Sequence, residues 1–207
     1  MFKFQFLIKQ FPKVYEIYWN NKWPKNSIRY TMITGATAAD VRTILVQTNF
    51  EIRTIGENIK GETTDDKALN CLREVVKRIE YVSDVKKHLK PEFWQTAVET
   101  IITKSGDCED GAILLMKIMQ AAGIPSWRRK LCCGDVKVSE LKDGGHAYVI
   151  YLADDFNWYV LDWCYWPLEA ICAFLKQPHN ERTDKYHDIW WTFNEEFCWA
   201  QNDVILR

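Results

Sequence analysis

The segment that most constrains the fold is an apolar run that begins one turn after a cysteine. From Ala112 to Ala122 the chain is apolar on nearly every helical face, which predicts a helix that is buried all round. Gly123 and Pro125 then end this helix. Cys108 follows a glycine turn and is therefore expected in the first turn of the central helix.

The segments after the central helix are β-prone and predict a sheet. They run over residues 127–132, 147–152 and 156–163. Before the central helix, Thr96 opens a capping box for another helix. This order predicts one α+β domain in which the central helix, carrying the cysteine, packs on an antiparallel sheet.

The two ends of the chain are rich in aromatic residues and predict segments outside the core. We expect an N-terminal extension at residues 1–36, a core at 37–170, and an aromatic C-terminal segment at 171–207 that wraps the core or contacts a partner. A large exposed apolar patch is a liability on a monomer, so we expect another protein to bury these aromatics. The residues concerned are Phe2, Phe4, Phe6, Trp190, Trp191, Phe193 and Trp199.

The composition argues against several classes of protein. Because the net charge is −1, nothing indicates attraction to nucleic acid or to anionic lipid. No apolar stretch is long enough to span a bilayer. The alternating start of the chain is not a signal-peptide pattern, so we expect no export. The seven cysteines then fit reduced thiols, and neither Cys132-Cys133 nor any other pair has the spacing of zinc ligands.

Three residues occur in the order and setting of a catalytic triad. Cys108 fits a nucleophile, His146 a general base and Asp162 an orienting acid. A hairpin turn centred on Asp154 makes His146 and Asp162 direct cross-strand partners, whose Cβ atoms lie ~4.5–5.5 Å apart. Asp162 then holds one imidazole nitrogen, and the other nitrogen takes the thiol proton.

The expected position of Cys108 also suits the chemistry of an acyl transfer. A helix N-terminus lowers the pKa of a thiol, and its backbone N–H groups point toward a developing oxyanion. Trp94 and Gln95 are the candidates for the second oxyanion donor.

Acidic residues crowd the same cysteine. Asp107, Glu109 and Asp110 flank Cys108, and their charge opposes a low thiol pKa. One explanation is structural, because an N-cap and a first helical turn both favour carboxylates. The alternative is calcium, a hard cation that prefers oxygen ligands. We favour the capping explanation and expect calcium to bind weakly or not at all.

These residues resemble the transglutaminase-like superfamily of papain-type folds, and the Gly-Asp-Cys-Glu-Asp block is similar to bacterial transglutaminase-like cysteine proteinases. The C-terminal part of the pattern also resembles transglutaminase-like proteins encoded by tailed bacteriophages. The matching residues are Asp40–Arg42, Tyr81, Asp84, Trp94, Glu99-Thr100, Gly106–Ala112, Gly145–Tyr148, Asp162-Trp163 and Trp191–Asn194.

The resemblance implies a papain/transglutaminase-like core with Cys108, His146 and Asp162 as its triad. It also implies calcium bound by carboxylates at the positions of Asp107 and its two acidic neighbours. We expect a cysteine peptidase or amidase that acts through a thioester on a protein or peptide substrate, with hydrolysis favoured over acyl transfer to an amine.

The alternative interpretation is a phage virion or assembly protein that uses the same fold as a scaffold. Other phage structural proteins would then be its partners. Either function leads us to expect a location in the host cytoplasm or in a virion.

Overall fold

The computed structural model describes residues 19–21, 28–31, 38–140, 142–165, 185–200 and 204–206. Its helices are a 3₁₀ turn at Val41–Leu45, α1 (Phe50–Glu57), α2 (Thr64–Arg78), α3 (Asp84–His88), α4 (Ala97–Thr103), α5 (Cys108–Ala121) and a 3₁₀ turn at Ser126–Arg128. Its strands are β1 (Ile28–Thr31), β2 (Ala38–Asp40), β3 (Glu80–Tyr81), β4 (Ser105–Gly106), β5 (Arg129–Ser139), β6 (Lys142–Leu152), β7 (Trp158–Leu161), β8 (Tyr186–Phe193), β9 (Cys198–Ala200) and β10 (Val204–Leu206).

An antiparallel five-stranded sheet and the helix α5 form the centre of the fold. The strands lie in the order β7-β6-β5-β8-β9, and every neighbouring pair in this sheet is antiparallel. Helix α5 packs on β5 and β6 and is surrounded by α1, α2 and α4. The α+β architecture and the helix on the antiparallel sheet are therefore confirmed.

The central helix is buried as its sequence predicts. All residues from Ala112 to Met119 are at most 4% exposed, because helices cover one side of α5 and the sheet covers the other. The exception to an apolar surface is Lys117, whose Nζ donates to the backbone oxygen of Leu45 at 2.6 Å. Gly123 follows the helix with a φ of +80°, a backbone conformation that favours glycine.

Both faces of the sheet are covered. The side toward α5 carries an aliphatic core that includes Ile113, Val149 and Leu161. The opposite side carries an aromatic core built around Tyr148 and Trp199. Its other aromatic members in the described residues are Trp19, Trp158 and Tyr186.

The C-terminal aromatics differ from the expectation that they form a partner surface. Trp191, Phe193 and Trp199 are each at most 4% exposed, and the expectation is wrong for these three, because β8 and β9 belong to the central sheet. Trp190 is 45% exposed. The pairing of β8 with β5 contains two register shifts, which disrupt the alternation by which a strand is recognised in a sequence.

Other parts of that expectation stay predictions. Phe2, Phe4 and Phe6 lie outside the described residues, and so do most of residues 1–36. The boundaries expected at 37 and 171 also stay predictions. Within the described residues, no helix is long and apolar enough to cross a membrane.

Candidate active site

The carboxylate of Asp162 holds the imidazole of His146 at the open end of the β6–β7 hairpin. His146 Nε2 lies 2.7 Å from Asp162 Oδ2. Asp162 is fully buried, and it also accepts from the Tyr186 hydroxyl at 2.7 Å and from the backbone N–H of Cys164 at 2.9 Å. Because three donors fix this carboxylate, the imidazole presents Nε2 to Asp162 and keeps Nδ1 for other partners.

The predicted contact is present, but the predicted register is wrong. Strand β6 pairs Leu152 with Trp158, and the same register continued places Asp162 opposite Tyr148. The hairpin loop includes Phe156, whose φ is +68°, so the turn is centred one residue later than we expected. A shift of two residues along the partner strand keeps each side chain on its own face. His146 and Asp162 thus meet diagonally.

Cys108 begins helix α5 and is fixed against the sheet by its backbone. Asp107 occupies the N-cap position as predicted, and the indole of Trp163 donates to the Cys108 carbonyl oxygen at 3.1 Å. The backbone N–H of Ala147 approaches the thiol. The thiol therefore lies beside the residue that follows His146 in strand β6.

Two glycines permit this close packing. A Cβ on Gly111 would lie 2.2 Å from the ring of Trp163, and a Cβ on Gly106 would lie 2.5 Å from the carboxylate of Asp110. Both distances are below van der Waals contact, so any larger residue displaces Trp163 or Asp110. The two glycines of the Gly-Asp-Cys-Glu-Asp-Gly block therefore allow close packing at the start of α5.

The surroundings of Cys108 favour the protonated form of its thiol. Burial raises its pKa well above the ordinary value, and the charges of Glu109 and Asp107 raise it further, although the amide of Ala147 opposes them. Glu109 Oε2 lies 3.2 Å from Cys108 Sγ, and burial also raises the pKa of Glu109 well above its usual range. These effects outweigh the lowering of the thiol pKa that was expected from the helix N-terminus. The thiol therefore needs a base to ionise.

The two candidates for the second oxyanion donor are both engaged in other hydrogen bonds. Gln95 donates its backbone N–H to Asp110 Oδ1 at 2.7 Å, and its side-chain amide donates to Asp110 and to the Ser105 carbonyl. These three bonds use all of its N–H groups, so Gln95 supports Asp110 and has no donor left for an oxyanion. The indole of Trp94 donates to Glu92 at 2.7 Å, and its role in an oxyanion hole stays a prediction.

Three carboxylates converge beneath the first turn of α5. One oxygen each of Asp84, Asp107 and Asp110 lies within 4.8 Å of the others. This set differs from the predicted trio, because Glu109 faces the thiol and Asp84 takes its place. Oδ1 of Asp84 and Oδ1 of Asp107 are buried without a hydrogen-bond partner in the described part of the chain.

The carboxylate cluster fits a hard cation better than capping alone. Capping explains the backbone N–H of Asp107, which donates to Asp110 at 3.3 Å. It does not explain the unpartnered oxygens, which are costly when buried. Oxygen ligands of this kind are what calcium prefers. Asp84, Asp107 and Asp110 are therefore the residues that would hold calcium.

Several residues of the site were not assigned a role from the sequence. Tyr186 lies 24 residues beyond Asp162, and no local pattern marks it. Cys164 lies at the site because it follows the end of β7 by three positions. Its place beside Asp162 could be deduced only from the strand register of the hairpin. Asp84 was noted only as part of the resemblance, and it meets Asp107 because β3 pairs in parallel with β4.

The sequence model of the Transglutaminase-like superfamily matches residues 53–163, which is more than half of the 207 residues. No curated protein matches the sequence.

Solved structures similar to this chain share little sequence with it. Calcium-bound LapG from Legionella pneumophila is 20% identical with a TM-score of 0.46, and the match covers 72% of this chain and 86% of that chain. A Cytophaga hutchinsonii protein that carries the provisional name of cysteine protease is 16% identical with a TM-score of 0.43, over 70% of this chain and 47% of that chain. On the match of the family model to more than half of its length, the chain belongs to the transglutaminase-like superfamily.

Proposed function

We propose that this protein is a cysteine peptidase or amidase with Cys108, His146 and Asp162 as its catalytic residues. The observation that carries the proposal is the buried hydrogen bond between His146 Nε2 and Asp162 Oδ2 at 2.7 Å, one residue before Ala147, whose backbone N–H approaches the thiol of Cys108. A buried acid that fixes an imidazole in this way sets its tautomer and leaves the other nitrogen to accept a proton.

The reaction begins with a proton transfer. Nδ1 of His146 takes the proton of the Cys108 thiol as the sulfur attacks the carbonyl carbon of an amide. The tetrahedral intermediate collapses, the C–N bond breaks, and His146 returns the proton to the leaving amine. The product on the enzyme is a thioester of Cys108.

Water completes the cycle. His146 removes a proton from water, and the resulting hydroxide adds to the thioester. The C–S bond then breaks to release the acid, and His146 returns the proton to the sulfur of Cys108. Backbone N–H groups in the first turn of α5 suit the oxyanion of both steps. An amine in place of water would give a cross-linked product, but no feature of the described residues marks an amine site.

Calcium belongs to the same proposal as a structural ion. Held by Asp84, Asp107 and Asp110, it would supply positive charge beneath the first turn of α5 and offset the repulsion among these acids. It touches no reacting atom in the steps above, which are all performed by Cys108 and His146.

The test is a search for new peptide termini. The protein is incubated with a protease-generated peptide pool in ¹⁸O-labelled water that contains a primary amine, and the products are read by mass spectrometry. Hydrolysis gives carboxyl groups with one ¹⁸O atom, whereas transfer gives amine adducts. Loss of both products in Cys108→Ser ties them to the thiol. Products that persist in Cys108→Ser refute the proposal.

A further inference from the structure

A cysteine that the proposed reaction does not use lies against the catalytic pair. One ligand atom each of His146, Asp162 and Cys164 lies within 4.8 Å of the others. The backbone N–H of Cys164 donates to Asp162 Oδ1 at 2.9 Å, which holds Cys164 against the same carboxylate that holds the imidazole. The three side chains thus present a nitrogen, an oxygen and a sulfur to one point.

This donor set is suited to zinc. Zinc takes histidine nitrogen, cysteine sulfur and carboxylate oxygen in tetrahedral sites, and three protein ligands leave one position for water. Ligands at about 2.0–2.3 Å put tetrahedral donor atoms about 3.3–3.8 Å apart, so the cluster closes by at most about 1.5 Å around the ion. One carboxylate and one thiolate also neutralise its double charge.

We propose that His146, Asp162 and Cys164 bind Zn²⁺ and that this ion switches off the catalytic pair. The site differs in kind from the carboxylate cluster of Asp84 and Asp107, whose oxygens suit calcium. The two clusters therefore select different metals.

The inhibition follows from the positions of the protons on Cys164 and His146 when zinc is bound. Zinc displaces the thiol proton of Cys164, which leaves to solvent, and the sulfur binds as a thiolate. When Nε2 of His146 binds the ion, the proton on Nε2 is released to solvent and Nδ1 takes one up from solvent, so the neutral imidazole then carries its proton on Nδ1. Nδ1 is the atom that accepts the Cys108 proton in the proposed reaction. A protonated Nδ1 cannot accept it, and the nucleophile stays a thiol.

The ion has a route to these ligands. Cys164 is only partly buried, and Tyr165, which is 38% exposed, covers His146 with a ring-to-ring distance of 4.9 Å. Among the described residues, Tyr165 is thus a partly exposed side chain whose movement would uncover one side of the imidazole.

Zinc binding is measured first, because it is independent of any substrate. The purified full chain is titrated with Zn²⁺ in competition with a chromophoric chelator, and Co²⁺ is used as a coloured substitute. We expect one ion per chain and a sulfur-to-cobalt charge-transfer band. Cys164→Ser and Cys164→Ala should each weaken zinc binding by about 100-fold and remove the band. Cys108→Ser should keep both, because its sulfur is not a ligand.

Inhibition is measured through the rate at which Cys108 is alkylated. For each variant, the rate with zinc is divided by the rate of the same variant without zinc. We expect this ratio to fall at least tenfold in the unmodified chain and to return to near one in both Cys164 variants. The inhibitory part rests on the proposed function, whereas zinc binding does not. If zinc binds equally well to the Cys164 variants, or is lost only in Cys108→Ser, the site is refuted. If zinc binds through Cys164 without slowing alkylation, the inhibition is refuted.

Discussion

His146 and Asp162 form a 2.7 Å hydrogen bond although they are not direct cross-strand partners. They meet because a hairpin turn centred one residue later than expected moves Asp162 two places along its strand and leaves it on the same face. The contact is further fixed by Tyr186, which donates to the same carboxylate oxygen. The pair thus has the geometry of a base and its orienting acid.

Disruption of this pair should abolish turnover once a substrate is known. We expect His146→Ala to remove nearly all activity and Asp162→Asn to lower kcat by about 10⁴-fold, because the amide favours the wrong tautomer. The two losses should not add, since the residues act as a unit. Steady-state kinetics of the single and double variants measure this.

The matched control is a second histidine–aspartate pair. His187 Nδ1 lies 3.0 Å from Asp143 Oδ2, and the Asp143 side chain is 47% exposed. Asp143→Asn should leave kcat within a factor of two. If Asp162→Asn costs no more than Asp143→Asn, the orienting role of Asp162 is wrong.

The helix and the site contact could be predicted from the sequence because each depends on local patterns. The apolar run after Cys108 leaves no polar face, so it predicts a central helix, and the structure confirms this. The family resemblance rested on short motifs, and the family model supports it. His146 and Asp162 lie on one hairpin, which makes their contact depend on a single turn.

The remaining features depend on distant parts of the chain. Trp191 and Phe193 looked aperiodic because β8 shifts its register against β5, so their burial could not be deduced. Asp84 meets Asp107 because the two-residue strands β3 and β4 pair in parallel, a pairing that no sequence spacing indicates. Gln95 seemed free to donate until the structure showed its N–H groups committed to Asp110 and to the Ser105 carbonyl.

Glu109 should oppose ionisation of the nucleophile. Its carboxyl oxygen lies 3.2 Å from Cys108 Sγ, and two adjacent anions repel each other. Glu109→Gln should therefore lower the pKa of the Cys108 thiol. The measurement is the alkylation rate of Cys108 between pH 6 and 10. Glu140→Gln, which changes an exposed acid, is the control, and an identical pH profile for both variants contradicts the assignment.

Calcium should stabilise the folded protein through the carboxylate cluster. At ~100 times its dissociation constant a ligand adds ~2.7 kcal/mol to the free energy of unfolding. We expect thermal unfolding to move to a higher temperature with millimolar calcium than with a chelator. Asp84→Asn should remove this shift, whereas the exposed control Glu140→Gln should keep it. If calcium does not change the unfolding temperature, the cluster is explained by helix capping instead.

The calcium effect should also depend on pH. Burial and the neighbouring Asp107 raise the pKa of Asp84 to about 6, and burial together with Asp107 raises the pKa of Asp110 to about 7. Both values lie above those of an unfolded chain, so the folded state binds these protons more tightly. Without calcium, their contribution to stability is present at low pH and is lost as pH rises through 6 and 7. Calcium stabilisation should therefore be larger at pH 8 than at pH 5.

Gly111→Ala should destabilise the fold despite the higher helix propensity of alanine. The added Cβ would lie 2.2 Å from the Trp163 ring, which is buried and has little room to move. We expect a loss of about 1–3 kcal/mol in urea unfolding. Gly144→Ala is the control, because its Cβ meets only the end of the Val138 side chain. If the two variants unfold at the same urea concentration, Trp163 does not pack against Gly111 as described.

The central claim is that His146 activates Cys108, and selective alkylation tests it without any substrate. Limiting iodoacetamide at neutral pH is followed by mass spectrometry of each cysteine. We predict that Cys108 reacts first and that His146→Ala slows it at least tenfold, whereas His187→Ala does not. Four of the other described cysteines are buried and should react later. Preferential labelling of another cysteine, or an unchanged Cys108 rate in His146→Ala, would contradict the account.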